Sequence, residues 1–156
     1  MKRDAISPGP RYQALLQLLR TAEALWNASR VFFERWDLSP SQFNVLNLLH
    51  GETAGLSQTE LSRQLVVHRS NITGLVDRLE ARGLVERREM AGDRRAYRVA
   101  LTPAGAALMR QILPHYHRAA EDVWGDVPAA RANQIVAELA ELSRNAETVA
   151  AASGAE

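Results

Sequence analysis

At 156 residues, with 46% hydrophobic, 24% charged and 6% aromatic residues and a net charge of +1, the chain matches one ordinary domain. It is apolar enough to bury a core, which argues against both a multidomain enzyme and a disordered chain. With no cysteine, a disulfide framework, a thiolate zinc site, an iron–sulfur cluster and a cysteine nucleophile or redox switch are excluded.

The lead-in Ser7-Pro8-Gly9-Pro10 cannot sustain a helix, and the first predicted helix covers about residues 11–36. Its positions 15, 18, 22, 25, 29, 32 and 36 (Leu, Leu, Ala, Leu, Ser, Phe, Trp) form an a/d heptad seam. A second stripe runs beside it through Tyr12, Leu16, Leu19, Trp26 and Phe33. One neighbour cannot cover both stripes, so this helix is either central to a bundle or in contact with another chain.

Next, Ser39-Pro40-Ser41-Gln42 reads as a helix start, with Ser39 as cap, Pro40 at the first position and Gln42 completing a capping box. This helix carries Phe43, Val45, Leu46, Leu48 and Leu49 to about His50. A loop with Gly51 and Gly55 leads to a second box, Ser57-Gln58-Thr59-Glu60, opening a short helix through Leu61 and Leu65. Residues 67–70 make a tight connection, and a helix from His68 carries Ile72, Leu75, Val76 and Leu79 before Gly83 stops it as a left-handed cap. Three short helices in succession have helix-turn-helix spacing.

Residues 84–90 and 96–101 read as strands of a β-hairpin, with Tyr97, Val99 and Leu101 on one face and a charged tip at 91–95. Thr102-Pro103 starts a helix whose stripe is Leu108, Ile112, Tyr116, Ala119 and Val123, and Asp126-Val127-Pro128 breaks it after about Trp124. The last helix carries Ile135, Leu139, Leu142, Ala146 and Val149 before residues 153–156 fray. No window approaches the ~18 to 20 apolar residues of a membrane span, and MKRDAISPGPR has no signal-peptide character, so a cytoplasmic protein with no membrane partner is expected.

The small net charge hides an asymmetry. Between positions 61 and 100 nine arginines stand against five acids, whereas between 121 and 156 seven acids stand against two arginines. A basic middle and an acidic tail point toward nucleic acid. Lysine occurs once, at Lys2, among 18 arginines in all, so the clustering is the signal and the arginine content is not.

The order helix, helix, short helix, helix, β-hairpin, helix, helix is accompanied by recognisable stretches. These are Leu38-Ser39-Pro40-Ser41-Gln42-Phe43, then Leu56-Ser57-Gln58-Thr59-Glu60-Leu61, and the run from Ile72-Thr73-Gly74-Leu75 to Gly83-Leu84-Val85. The tip Asp93-Arg94-Arg95 and the exit Leu101-Thr102-Pro103-Ala104-Gly105 complete them. In this order, over nearly the whole chain, the sequence resembles the MarR family of multiple-antibiotic-resistance regulators. The resemblance implies a mainly α fold with a small β-hairpin wing, that is, a winged helix-turn-helix with a helical dimerisation region. The DNA-binding domain would span 38–102, and the dimerisation region 1–37 and 103–156. It further implies a homodimer, no enzyme, that binds a palindromic operator in double-stranded DNA as a repressor and lets go when a small molecule or oxidant alters the dimer. A cysteine-based peroxide sensor is excluded by composition.

A helix about 12 Å across fits the major groove and presents its N-terminal exposed residues to base edges. With Ile72, Leu75, Val76 and Leu79 turned inward, Arg69, Ser70, Asn71 and Thr73 stand near the front and Arg78 farther along, against the competing reading of a plain solvated face. His68 has three open roles: weak cap, phosphate contact or exposed side chain. Arg94 and Arg95 sit at the wing tip, where a guanidinium suits a narrow minor groove. By resemblance Arg95 is the inserted residue, and Asp93 would pair with and orient it; otherwise Asp93 serves only the turn after Gly92. Arg87, Arg88 and Arg98 are expected as phosphate contacts or internal pairs.

For the effector, the resemblance supplies a crevice between the dimer helices and the winged domain. Trp26, Arg30 and Phe33, at i, i+4 and i+7, flank an arginine with two rings, which suits a small aromatic or lipophilic anion; the alternative makes both rings core. Two further readings remain. One is a metal-responsive regulator through His117 and Glu121 with His50 or an acid from another helix, since His115 and His117, two apart on a helix, point about 200° away from each other. The other is a winged-helix protein-interaction module that binds no DNA. No catalytic residue, metal ligand or cofactor is assigned.

Overall fold

The computed structural model describes residues 9–65, 72–90 and 93–154, and within them the side chains of all but residues 90 and 93–96. Its elements are α1 (Pro10–Phe33), a 3-10 turn (Glu34–Trp36), α2 (Pro40–His50), β1 (Leu56–Ser57), α3 (Gln58–Gln64), α4 (Ile72–Ala81), β2 (Val85–Met90), β3 (Asp93–Leu101), α5 (Pro103–Trp124) and α6 (Ala129–Ser153). The expected mainly α chain with a small antiparallel sheet is what is seen, and the strand order is β1-β3-β2. Two compact units divide within α5, the first ending at Arg110 and the second running from Gln111.

In the first unit, α-geometry ends at Phe33 rather than at residue 36. Glu34–Trp36 tighten into the 3-10 turn, and Asp37 closes it at φ 52°, its N–H donating to the Glu34 carbonyl. Aspartate tolerates this left-handed conformation better than most residues. The turn brings the Phe33 and Phe43 rings into a stack at 4.2 Å, both buried. Of α1's other residues none is buried, and Tyr12, Leu15, Leu19, Leu25 and Val31 are exposed.

Both capping boxes form as the sequence indicates. The Gln42 N–H donates to Ser39 Oγ at 3.2 Å and the Ser39 N–H to Gln42 Oε1 at 2.8 Å. The Glu60 N–H donates to Ser57 Oγ at 3.2 Å and the Ser57 N–H to Glu60 Oε2 at 2.7 Å. These hold the starts of α2 and α3 by satisfying donors that have no partner within the helix. On α4, Ile72, Leu75, Val76 and Leu79 are all buried. That helix ends in a left-handed glycine, Gly83 at φ 67°, with Gly83 N–H to Glu80 O at 2.8 Å and Leu84 N–H to Leu79 O at 3.0 Å.

The sheet departs from the sequence expectation twice. A third strand, β1, pairs Leu56 with Val99 and Ser57 with Arg98, where only a loop end was expected. It requires Gly55, whose φ is +75° and where a Cβ would stand 2.5 Å from the Val99 carbonyl oxygen. In the hairpin the pairing runs in step from Val85↔Leu101 to Glu89↔Tyr97 and then jumps to Met90↔Asp93. Strand β3 therefore begins at Asp93, not at residue 96, and residues 94–96 are left over as a bulge at the tip. At the other end, the Thr102 hydroxyl donates to the Gly83 carbonyl at 2.6 Å and accepts from the Gly105 N–H at 3.0 Å, fastening the start of α5 to the end of α4.

In the second unit, α5 carries Pro114 in its interior. A turn with Gly125 at φ 54° leads to α6, whose 25 residues include none that is buried; Val136, Leu139, Leu142 and Val149 are exposed. Among the described residues, no helix is long and apolar enough to cross a membrane.

Candidate nucleic-acid interface

Helix α4 is divided cleanly. Its apolar quartet is buried, and Thr73, Asp77 and Arg78 are exposed. The N-terminal residues expected to lead it, His68, Arg69, Ser70 and Asn71, lie outside the described residues. Thr73 and Arg78 stand where expected, on the outward face. The backbone of Asp93, Arg94 and Arg95 opens β3 at the wing tip, and their side chains lie outside the description.

The basic segment is less basic in space than in sequence. Arg87 pairs with Asp77 and Glu80 on α4, Arg88 with Glu86 at 2.8 Å, and Arg98 with Glu60 at 3.2 Å while also donating to the Gly55 carbonyl. Arg82 donates to the Trp36 and Asp37 carbonyls, tying the end of α4 to the turn after α1. Within the chain, then, Arg87 and Arg98 are part-buried internal pairs, whereas Arg88, paired with Glu86 of its own strand, stays about half exposed. Arg87 is held protonated beyond the ordinary range, chiefly by the Asp77 carboxylate. Among the described residues of this segment, Arg63 and Arg78 form no ion pair, so positive charge for an outside partner is carried by these two and by arginines outside the description.

Two residues that sequence reading passed over tie the interface together. The Gln58 amide, at the first position of α3, donates to Thr73 Oγ1, and the Tyr97 hydroxyl donates to Gln58 Oε1 at 2.6 Å. In the sequence Gln58 is only the interior of a capping box and Tyr97 only a strand residue sharing a face with Val99 and Leu101. The one available signal was that a half-buried tyrosine hydroxyl needs a partner.

The residues expected around an effector separate. Phe33 is 1% exposed against Phe43. Arg30 lines a groove of about 290 Å³ with Glu34, Asp37, Leu38, Ser39, Pro40 and Gln42, in which neither Trp26 nor Phe33 takes part. Among the described residues no three His, Asp or Glu side chains gather as a metal site, and His50 and His117 are exposed.

Comparison with known proteins agrees with this arrangement. The repressor MprA of Escherichia coli K12 is 33% identical over 91 residues, 58% of this chain, and the match spans only 52%, about half, of MprA's own length. PrsX of Escherichia coli, an HTH-type transcriptional regulator, is 30% identical over 124 residues, covering 79% of this chain and 75% of PrsX. The solved structure of BpsR from Bordetella bronchiseptica, whose DNA binding is regulated by 6-hydroxynicotinic acid, superposes with a TM-score of 0.65 at 26% identity, covering 82% of this chain and 92% of that one. The MarR family model matches residues 36–96, the stretch from the end of α1's 3-10 turn through the wing tip. With its winged helix-turn-helix and these relatives, the chain belongs to the MarR family.

Proposed function

We propose that the chain is a homodimeric, sequence-specific DNA-binding transcriptional regulator of the cytoplasm, a repressor released from a palindromic operator by a small effector. The observation that carries this reading is α4 itself: a helix locked by four buried apolar residues, with a polar and cationic face outward beside a hairpin. Such a helix fits the major groove while the hairpin reaches the neighbouring minor groove. Arg69, Ser70, Asn71 and Thr73 then serve bases and phosphates, Arg78 and Arg94 phosphates, and Arg95 the minor groove, with Asp93 orienting it. The dimer is built from residues 1–37 and 103–156, supported by the uncovered apolar residues of α1 and α6. MprA, named a repressor, supports the sign of regulation.

For the effector, the control of BpsR by an aromatic carboxylate supports an aromatic or lipophilic anion here, with Arg30, which lines the groove, as its anchor; Trp26 lies outside that groove and buried Phe33 serves the core. A ligand acts only by its differential affinity for two spacings of the recognition helices, and half-sites about 34 Å apart demand one of them. A hundredfold loss of DNA affinity corresponds to ~2.7 kcal/mol of coupling.

Selection of duplexes from a random pool, followed by titration of salt, tests the reading. A palindrome should emerge, and its affinity should fall steeply with salt. Arg95→Ala should weaken binding to most sequences, and Asn71→Ala should relax preference at particular pairs by about 1–3 kcal/mol. If no duplex is enriched, the chain is a protein-interaction module instead. Release by salicylate-like compounds with equal potency in Arg30→Ala would exclude Arg30 as anchor.

A further inference from the structure

Thr73 lies in the first turn of α4 on its outward face, yet its hydroxyl oxygen is already engaged by the Gln58 amide. The other end of that amide accepts from the Tyr97 hydroxyl at 2.6 Å. Tyr97 in turn sits with its ring centre 5.2 Å from the Arg87 guanidinium, which the Asp77 and Glu80 carboxylates of α4 hold in place. The result is a closed circuit from α4 through β2, β3 and α3 back to α4.

The circuit has a direction. The Tyr97 hydroxyl turns its hydrogen toward Gln58 Oε1, while the Arg87 guanidinium lies over the Tyr97 ring and steadies it. Tyr97 is also among the groups that keep Arg87 charged, after Asp77. With Gln58 Oε1 taken by that hydrogen, the amide must present its NH2 to Thr73. Thr73 then accepts on one side, and among the described residues nothing takes its own hydrogen, which is left for an outside partner.

We propose that Gln58 and Tyr97 are positioning residues for base recognition: they hold Thr73 as a hydrogen-bond donor, so that it selects guanine or thymine over cytosine at the base it meets. In the major groove guanine and thymine present carbonyl acceptors, whereas cytosine presents an amino donor. The inference rests on the DNA-binding reading above.

The test is selection from a randomised duplex pool by wild type, Thr73→Val, Tyr97→Phe and Gln58→Glu, with melting followed by circular dichroism to verify each fold. Thr73→Val should erase a preference for guanine or thymine at one pair per half-site, worth about fivefold. Tyr97→Phe keeps the ring against Arg87 but frees the amide to turn over, and the same preference should fade. In Gln58→Glu the carboxylate can only accept, so it takes the Thr73 hydrogen; Thr73 then offers lone pairs, and the preference at that pair should invert toward cytosine. The added charge lowers affinity for all duplexes, which the ratio between bases cancels. Residues serving stability alone would weaken binding to every duplex alike and leave the preference intact. That outcome overturns the relay, as does a Thr73→Val protein that loses no preference, or an effect of Tyr97→Phe confined to other pairs. If wild type enriches no sequence, the DNA-binding reading fails and the relay fails with it.

Discussion

Helices α4 and α6 carry the same kind of pattern and meet opposite fates. On α4, apolar residues at i, i+3, i+4 and i+7 are all buried within ten residues. On α6, Ile135, Leu139, Leu142, Ala146 and Val149 repeat at helical spacing through 25 residues, none is buried, and Val149 is 65% exposed. Periodicity reports that a helix has an apolar face and is silent about whose surface covers it. The side-chain hydrogen bonds sharpen the contrast. Those of α6 (Ser143, Thr148, Ser153) return to the carbonyl four residues back in the same helix, whereas α4 is tied through Arg82 and Thr73 to other elements.

Matched leucine truncations give the largest expected effect and the most direct way to break this comparison. Leu79→Ala, fully buried, should cost about 2–5 kcal/mol at any protein concentration. Leu142→Ala, 49% exposed, should cost the isolated fold under about 1 kcal/mol and act instead on self-association. Urea melts at protein concentrations a hundredfold apart distinguish them, and equal, concentration-independent losses would erase the difference. A harsher version on α6 alone, Leu139→Asp with Leu142→Asp, should leave a folded 17.3 kDa monomer in sedimentation.

Of intermediate size is the fastening of α4. Arg82→Ala frees the Trp36 and Asp37 carbonyls and should destabilise the protein by about 1 kcal/mol, and Arg82→Lys, lacking the planar fork, should recover only part of it. The smallest effect is a pH dependence. The Ser57 N–H and hydroxyl, with Arg98 and Arg63, hold the Glu60 carboxyl below its ordinary 4.5. A depressed folded pKa means its contribution is complete above 4.5 and is lost as pH falls through the lower folded value. Glu60→Gln, which still accepts from Ser57, should flatten stability in that acid window, as thermal melts between neutral and acid pH would read.

What could be read from sequence was what is local in sequence. Ser39 with Gln42, Ser57 with Glu60, and Gly83 after Leu79 each specify a helix end within a few residues, and all three form as expected. Strand β1 escaped because two residues are too few to show alternation, and its existence depends on Val99 more than forty positions away. Phe33 could be placed on a stripe and read either as core or as an effector-site ring; the choice stayed open because the stack on Phe43 exists only once Asp37 has turned the chain. The arginine cluster was visible, whereas its neutralisation by Asp77, Glu80, Glu86 and Glu60 is a property of the folded chain. Gln58 and Tyr97 lie 39 positions apart, and no local pattern joins them.

Pro114 bears on the mechanics of α5. Having no N–H, it cannot close the rung to the carbonyl of Arg110, and its ring crowds that carbonyl. Arg110 is also the last residue of the first compact unit. This turn of α5 therefore has one backbone hydrogen bond fewer than the turns on either side. A turn missing that rung resists bending less than an intact one.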